Sequence, residues 1–238
     1  MKLIRIAIII AVALLFISSS LGYCASSPLF INHYHKTSNN IEAKVLVTGF
    51  GPFDIYEVNP SQLITEELNE KHINEAELVG ILLPVDFEES VNVTINAIEE
   101  YDPVIVILVG LSPKANSIEL EKIGVNIKQM PIGEPGWFFP QRIDPDGPFF
   151  RLSPINTRKM ALDLRESNIL AKQSFFAGTY ICNTVLYETL GYIEDNNLSI
   201  KAVFIHVPLL DSQDPNGMEL DMMVNAVELS IKIILNEI

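Results

Sequence analysis

The chain has 238 residues, 48% of them hydrophobic and 19% charged, with 16 basic against 30 acidic side chains and a formal net charge of −14. So apolar a composition excludes a disordered chain, and the acidic balance argues against nucleic acid as a partner. Two cysteines cannot build a disulfide-dense scaffold, and no CxxC or Cys/His cluster marks a structural zinc site.

Lys2 and Arg5 precede an apolar run over residues 6–17, and Ser18-Ser19-Ser20-Leu21-Gly22 follows it. Positive charge, apolar run and small residues in that order form the pattern of a secretory signal peptide. The run is shorter than the ~20 residues of a membrane span. Residues 1–24 are therefore read as a signal peptide, with an uncleaved N-terminal anchor as the alternative, and the expected location is secreted or extracytoplasmic. Tyr23 before Cys24 makes a poor lipoprotein cleavage site. Cleavage would leave Cys182 as the only thiol. Residues 25–43 are polar and aperiodic and read as a tether; His33 and His35 have no acidic or thiol partner nearby, so a metal site is not expected there.

The folded part spans residues 44–238. Lys44-Val45-Leu46-Val47-Thr48 reads as a buried strand running into the loop Gly49-Phe50-Gly51-Pro52-Phe53. Asn59-Pro60-Ser61 opens a helix carrying Leu63, Ile64 and Leu68 on one face, with His72 at its end. A strand over 78–85 and a helix over 88–101 follow, broken by Asp102-Pro103. The run 104–109 is the most apolar in the chain, and Gly110 is expected to end it; a strand without polar alternation suits a parallel sheet covered on both faces. Residues 118–125 alternate partly like an exposed or edge strand. Residues 130–148, rich in proline, glycine and aromatics, predict a long surface excursion. A helix over 155–167, a strand over 172–176, a helix over 182–195, a strand over 202–207 and a terminal helix over 218–235 complete the order. The alternation predicts one three-layer α/β/α domain with a mainly parallel twisted sheet. Gly49-Phe50-Gly51 is not a dinucleotide fingerprint, because it lacks the third glycine and Pro52 intrudes.

Cys182 falls where Ala177-Gly178-Thr179-Tyr180-Ile181 turns from strand to helix. A thiol at a helix start feels the positive end of the dipole and unpaired amides, which favour thiolate and can stabilise an oxyanion. A buried cysteine facing the sheet is the plainer alternative. A thiol nucleophile needs a base, and His206 ends an apolar strand at the edge where open parallel sheets place reactive loops. The third member would be a carboxylate orienting the imidazole. Glu119 and Glu121 share one face of an otherwise apolar strand, although a solvated edge explains them as well. The residues alone lead as far as a candidate Cys/His hydrolase.

Four blocks then coincide with a known pattern. Thr48-Gly49-Phe50-Gly51-Pro52-Phe53 with Asn59-Pro60-Ser61, Glu121-Lys122-Ile123-Gly124-Val125-Asn126, Ala177-Gly178-Thr179-Tyr180-Ile181-Cys182-Asn183 and Phe204-Ile205-His206-Val207-Pro208 resemble the pyroglutamyl peptidase I family of cysteine peptidases. The resemblance runs over about residues 44–237. It implies a triad of Cys182 as nucleophile, His206 as base and Glu121 as the orienting acid. It also implies removal of an N-terminal pyroglutamyl residue from peptides through a thioester acyl-enzyme. Phe50 and Phe53 would hold the lactam ring, with Tyr180, where the family usually has phenylalanine, and Asn59 near the pocket. The resemblance implies no metal or organic cofactor, and the family's tetramers make a homo-oligomer an expectation. A same-fold hydrolase of altered specificity and a non-catalytic binding protein are the alternatives. Three departures bear on them. Ser112-Pro113-Lys114-Ala115 stands where the family has Ala-Gly-Gly-Arg, and Lys128-Gln129-Met130-Pro131 lacks the arginine of the family's Asp-Ala-Arg-Ile-Pro stretch. The segment 133–143, with Trp137, is this chain's own. A signal peptide is also unusual for a generally cytosolic family.

Overall fold

Strand β1 (Ala43–Phe50) is buried from Val45 onward, as a run without polar alternation must be when both its faces are covered. The computed structural model describes residues 43–130, 133 and 138–238. The apolar N-terminal run, Cys24, the tether histidines His33 and His35, and Trp137 lie outside the described residues. After β1 come α1 (Pro60–Leu68), β2 (His72–Ile73), β3 (Ala76–Leu83), α2 (Glu89–Tyr101), β4 (Ile105–Leu111), β5 (Ile118–Glu121), β6 (Ile123–Val125) and β7 (Phe150–Leu152). Then follow α3 (Thr157–Glu166), β8 (Ala171–Ser174), α4 (Ile181–Asp195), β9 (Lys201–Val207) and α5 (Leu220–Leu235).

Seven strands form one sheet in the order β2–β3–β1–β4–β9–β5–β8, and β6 and β7 form a separate antiparallel pair. Strands β3, β1, β4 and β9 run parallel. Strand β5 enters antiparallel to β9 and takes β8 along parallel to itself, while β2 closes the other edge antiparallel to β3. Helices α1, α3 and α5 cover one face, packing Ile64, Met160 and Val227 against Val45, Ile107 and Val203. Helices α2 and α4 cover the other, packing Ile98 and Leu186 against Leu46, Leu108 and Phe204. The architecture is the expected three-layer α/β/α arrangement with a mainly parallel sheet.

The structure departs from the sequence reading at four points. Strand β5 is neither exposed nor an edge: it sits between β9 and β8, with Ile118 and Leu120 fully buried. Its alternation is real, but the glutamate face meets side chains of neighbouring strands rather than water. Gly110 does not end β4 but lies within it, paired with His206 of β9. His72 belongs to the short edge strand β2, not to a helix end. Strand β7 was hidden by the aromatic and proline-rich composition around it. No helix among the described residues is long and apolar enough to cross a membrane.

Candidate active site

The parallel strands aim their C-terminal ends at one rim, where the loops after β1, β3 and β4 meet the start of α4. Gly178, at φ +85°, takes the left-handed turn that lets the chain leave β8 and enter α4 tightly. Tyr180 occupies the N-cap in extended conformation and supplies no side-chain cap. Cys182 therefore sits in the first turn, among amides that have no partner within the helix. It is half-buried, a thiol within reach of a ligand. The sulfur lies over β4 at Gly110: a Cβ built there would be 3.1 Å from Cys182 Sγ and 2.7 Å from Phe204 Cζ. Glycine is what leaves room for the thiol.

His206 stands near the end of β9 on the α4 side of the sheet, 6% exposed, its ring 4.7 Å from that of Phe204. Its Nδ1 lies 2.8 Å from Glu121 Oε1. The tautomer follows from that contact: Nδ1–H donates to the carboxylate, which leaves Nε2 for Cys182. Burial works against a charged imidazole, yet the bonds to Cys182 and Glu121 and the charge of both outweigh it, pushing the His206 pKa up to about 10. Glu121 is fully buried. The strand carrying it is held from below, where Lys122 Nζ donates to the carbonyls of Ser153 and Ile155.

Glu119, on the same face, pairs across the ladder with His206, but its carboxylate bonds Lys172 Nζ of β8 at 2.9 Å. Donor atoms of Glu119, Glu121 and His206 lie within 4.8 Å of one another, the spacing a metal ion could use. Lys172 already bonds Glu119 Oε1 and His206 bonds Glu121 Oε1, while Glu121 Oε2 is buried with no hydrogen-bond partner among the described residues.

Beside the thiol opens a cleft of about 290 Å³, measured out to open solvent, with almost wholly apolar walls. All four residues expected at the pocket line it: Phe50, Phe53, Asn59 and Tyr180. Asn59 does so as a brace. Its Nδ2 donates to Gly51 O at 2.8 Å and its Oδ1 accepts from the amide and hydroxyl of Ser61, so the amide holds the loop carrying Phe50 and Phe53. Phe53 leans on Tyr56, ring centroids 5.4 Å apart, and Tyr180 meets Phe87 edge to face at 5.1 Å.

Two asparagines have roles the sequence did not reveal. Asn183, next to the cysteine and fully buried, bonds Val125 N, Val125 O and Ile127 O, tying the segment after Glu121 to α4. Asn126, 1% exposed, accepts from the amides of Ile143 and Asp144 and donates to Asp144 O and Pro148 O, so it holds the far end of the surface excursion. Both lie inside matched blocks, and their burial was the missing signal.

A profile described as pyroglutamyl peptidase matches residues 43–237. The chain belongs to the pyroglutamyl peptidase family. It is 36% identical over 205 residues to pyrrolidone-carboxylate peptidase 1 of Caldanaerobacter subterraneus subsp. tengcongensis, covering 80% of this chain and 97% of that one. It is 34% identical to the pyrrolidone-carboxylate peptidase of Thermococcus litoralis, with 81% and 93% covered. The solved pyrrolidone carboxyl peptidase from Thermococcus litoralis superposes with a TM-score of 0.77 at 33% identity, over 82% of this chain and 94% of that one. A variant of the Pyrococcus furiosus enzyme does so with the same score and identity, over 82% and 99%. The family resemblance read from the four blocks therefore holds, and with it the assignment to cysteine-type hydrolases.

Membership also locates the departures. Ser112 follows β4 at the rim and donates its amide to Val207 O at 2.9 Å. Lys128 exchanges backbone bonds with Gln141, its ammonium 5.9 Å from the Phe87 ring, and Gln129 N donates to Thr179 O at 2.7 Å. Leu111, just before the first departure, lines the cleft, and Gln129 of the second is bonded to the turn that enters α4, whereas Pro113, Lys114 and Ala115 line a separate surface pocket with Asp214 and Asn216.

Proposed function

We propose that this chain releases N-terminal pyroglutamyl residues from peptides, with Cys182 as nucleophile, His206 as general base and acid, and Glu121 orienting the imidazole. The observation that carries the reading is the buried 2.8 Å bond from His206 Nδ1 to Glu121, with the Cys182 thiol on the other side of the ring and the apolar cleft beside it. The lactam ring lies against Phe50, Phe53 and Tyr180. Cys182 gives its thiol proton to His206 Nε2, Sγ attacks the carbonyl carbon that links the ring to the next residue, and the oxyanion faces the first-turn amides of α4. The C–N bond then breaks, His206 protonates the departing amine, and a thioester remains. Water attacks the thioester carbonyl and gives its proton to His206. The C–S bond breaks, pyroglutamate leaves, and Cys182 is restored.

Release of a fluorophore from a pyroglutamyl amide tests the proposal. Cys182→Ala should lower kcat/KM by at least ~10³-fold while the fold persists, His206→Ala comparably, and Glu121→Gln less. Near-parental turnover by Cys182→Ala would refute it. The N-terminal pattern supports export of the chain, with the tether before the catalytic unit from residue 44; an N-terminus at Met1 in protein recovered outside the cytoplasm would overturn cleavage. The family's habit of assembly supports a homo-oligomer, which sedimentation of the purified chain tests.

A further inference from the structure

Three neighbouring strands place His206, Glu119 and Lys172 in one row across the sheet: Glu119 of β5 pairs with His206 of β9 on one side and with Lys172 of β8 on the other. Directly opposite residues on antiparallel strands have Cβ atoms about 4.5–5.5 Å apart. Glu119 is thus the immediate cross-strand neighbour of the imidazole, while Glu121 reaches it diagonally from beneath, where it pairs with Phe204. Yet the bond to His206 belongs to Glu121, and Glu119 turns to Lys172 at 2.9 Å. The exposures show which partner reaches for which. The Glu119 side chain is 16% exposed and fixed beside the site, whereas Lys172, at 49%, comes in from the edge strand.

We propose that Lys172 and Glu119 are a positioning pair, in which Lys172 holds the Glu119 carboxylate off His206 so that Glu121 alone orients the imidazole and sets the charge around it. The proposal rests on reading Cys182, His206 and Glu121 as the triad. The groups facing His206 are Glu119 and Glu121 from β5 and Cys182 from α4; β4 offers only Gly110 opposite it. A bare Glu119 carboxylate would be a second anion at the imidazole and a rival acceptor for Nδ1–H. Two acceptors on one ring nitrogen misalign Nε2 against the sulfur, and the added negative charge favours every protonated form nearby. A surface-reaching ion pair contributes little to stability, so this effect can be read apart from folding.

The test is the pH dependence of kcat/KM on a pyroglutamyl amide, run beside the rate at which iodoacetamide alkylates Cys182, read by peptide mass spectrometry. Lys172→Met should move both limbs of the activity profile upward by about half a pH unit or more, with lower kcat and little change in KM. Glu119→Gln, which leaves Lys172 uncompensated, should move them downward, and the double variant should return close to the parental profile. Lys172→Arg, which keeps the charge, should stay parental. The alkylation profiles should shift with the same signs. If Lys172→Met does not fold, Lys172→Gln carries the same expectation. Single variants with parental profiles, shifts of the same sign, or a double variant that fails to restore the profile overturn the proposal. If His206→Ala leaves the alkylation profile unchanged, the triad reading falls and this proposal with it. If His206→Ala changes it while Lys172→Met and Glu119→Gln do not, only this proposal falls.

Discussion

Gly110→Ala tests whether the thiol depends on an absent side chain. In β4, paired with His206, an alanine Cβ would stand 2.7 Å from Phe204 Cζ, 3.0 Å from Phe204 Cε1 and 3.1 Å from Cys182 Sγ. Carbon atoms rest comfortably at roughly 3.5–4.0 Å, so the ring and the sulfur must each give way by several tenths of an ångström. Phe204 is fully buried and cannot rotate out, which leaves the strand and the thiol to move. Overpacking of this kind costs about 1–3 kcal/mol, a fall in Tm of roughly 2–12 °C for a domain of this size. Displacing the sulfur adds a separate loss in rate: misplacement by ~1 Å lowers rate by about 10²-fold, so a shift of several tenths of an ångström should cost roughly several-fold or more. The assay is kcat/KM on a pyroglutamyl amide together with thermal unfolding, and the rate should fall further than the stability loss explains. Parental rate and parental Tm in Gly110→Ala would refute the claim that this glycine makes room for Cys182.

Asn126→Ala removes the side chain that satisfies the Ile143 and Asp144 amides and should cost about 2–3 kcal/mol, since each amide left unpaired is worth roughly 1–3 and water reaches part of this segment. Limited proteolysis should then cut within residues 138–148 faster than in the parent, and equal protection would count against the staple. The His206 imidazole, whose pKa is raised above its ordinary 6.5, should stay protonated well above neutrality in an NMR titration, and its titration should drop toward the ordinary value in Cys182→Ala. With a folded pKa above the unfolded one, this pairing contributes stability that is fully present below about pH 6.5 and is lost as pH rises toward about 10. A parental His206 titrating at or below 6.5 would overturn it.

The layers were legible because the strands that meet helices on both faces carry unbroken apolar runs, as β1 and β4 do. Gly110 misled because glycine at the end of such a run marks a turn as often as a close approach, and only the packed neighbour distinguishes them. Strand β5 misled for a related reason. Alternation states that one face is polar, not that water is what it meets, and here Lys172 and His206 stand where solvent was expected. The short β7 could not be anticipated, since its partner β6 lies 25 residues upstream across a segment rich in proline and glycine.

Within the site, Cys182 and His206 could be chosen from local context, a helix start and a strand end. Glu121 could not, because its contact with His206 spans 85 positions and exists only because β5 enters the sheet antiparallel beside β9. The resemblance selected Glu121 over Glu119, and the register gives the physical reason the two differ: the residue directly opposite the histidine is occupied by a lysine from the next strand, leaving the diagonal one for the imidazole. The departures from the family pattern follow the same division. Asn126 and Asn183 anchor the segment after Glu121, and both lie within matched blocks. Residues 112–115 and 128–131 depart; Ser112 N bonds Val207 O and Gln129 N bonds Thr179 O, next to the end of β9 and the start of α4. Substitutions there can reshape what the cleft accepts without moving the sulfur, the imidazole or the carboxylate. A change of substrate preference in this chain should therefore appear in KM across pyroglutamyl amides with different leaving residues, while the pH dependence expected of the proposed triad stays the same for all of them.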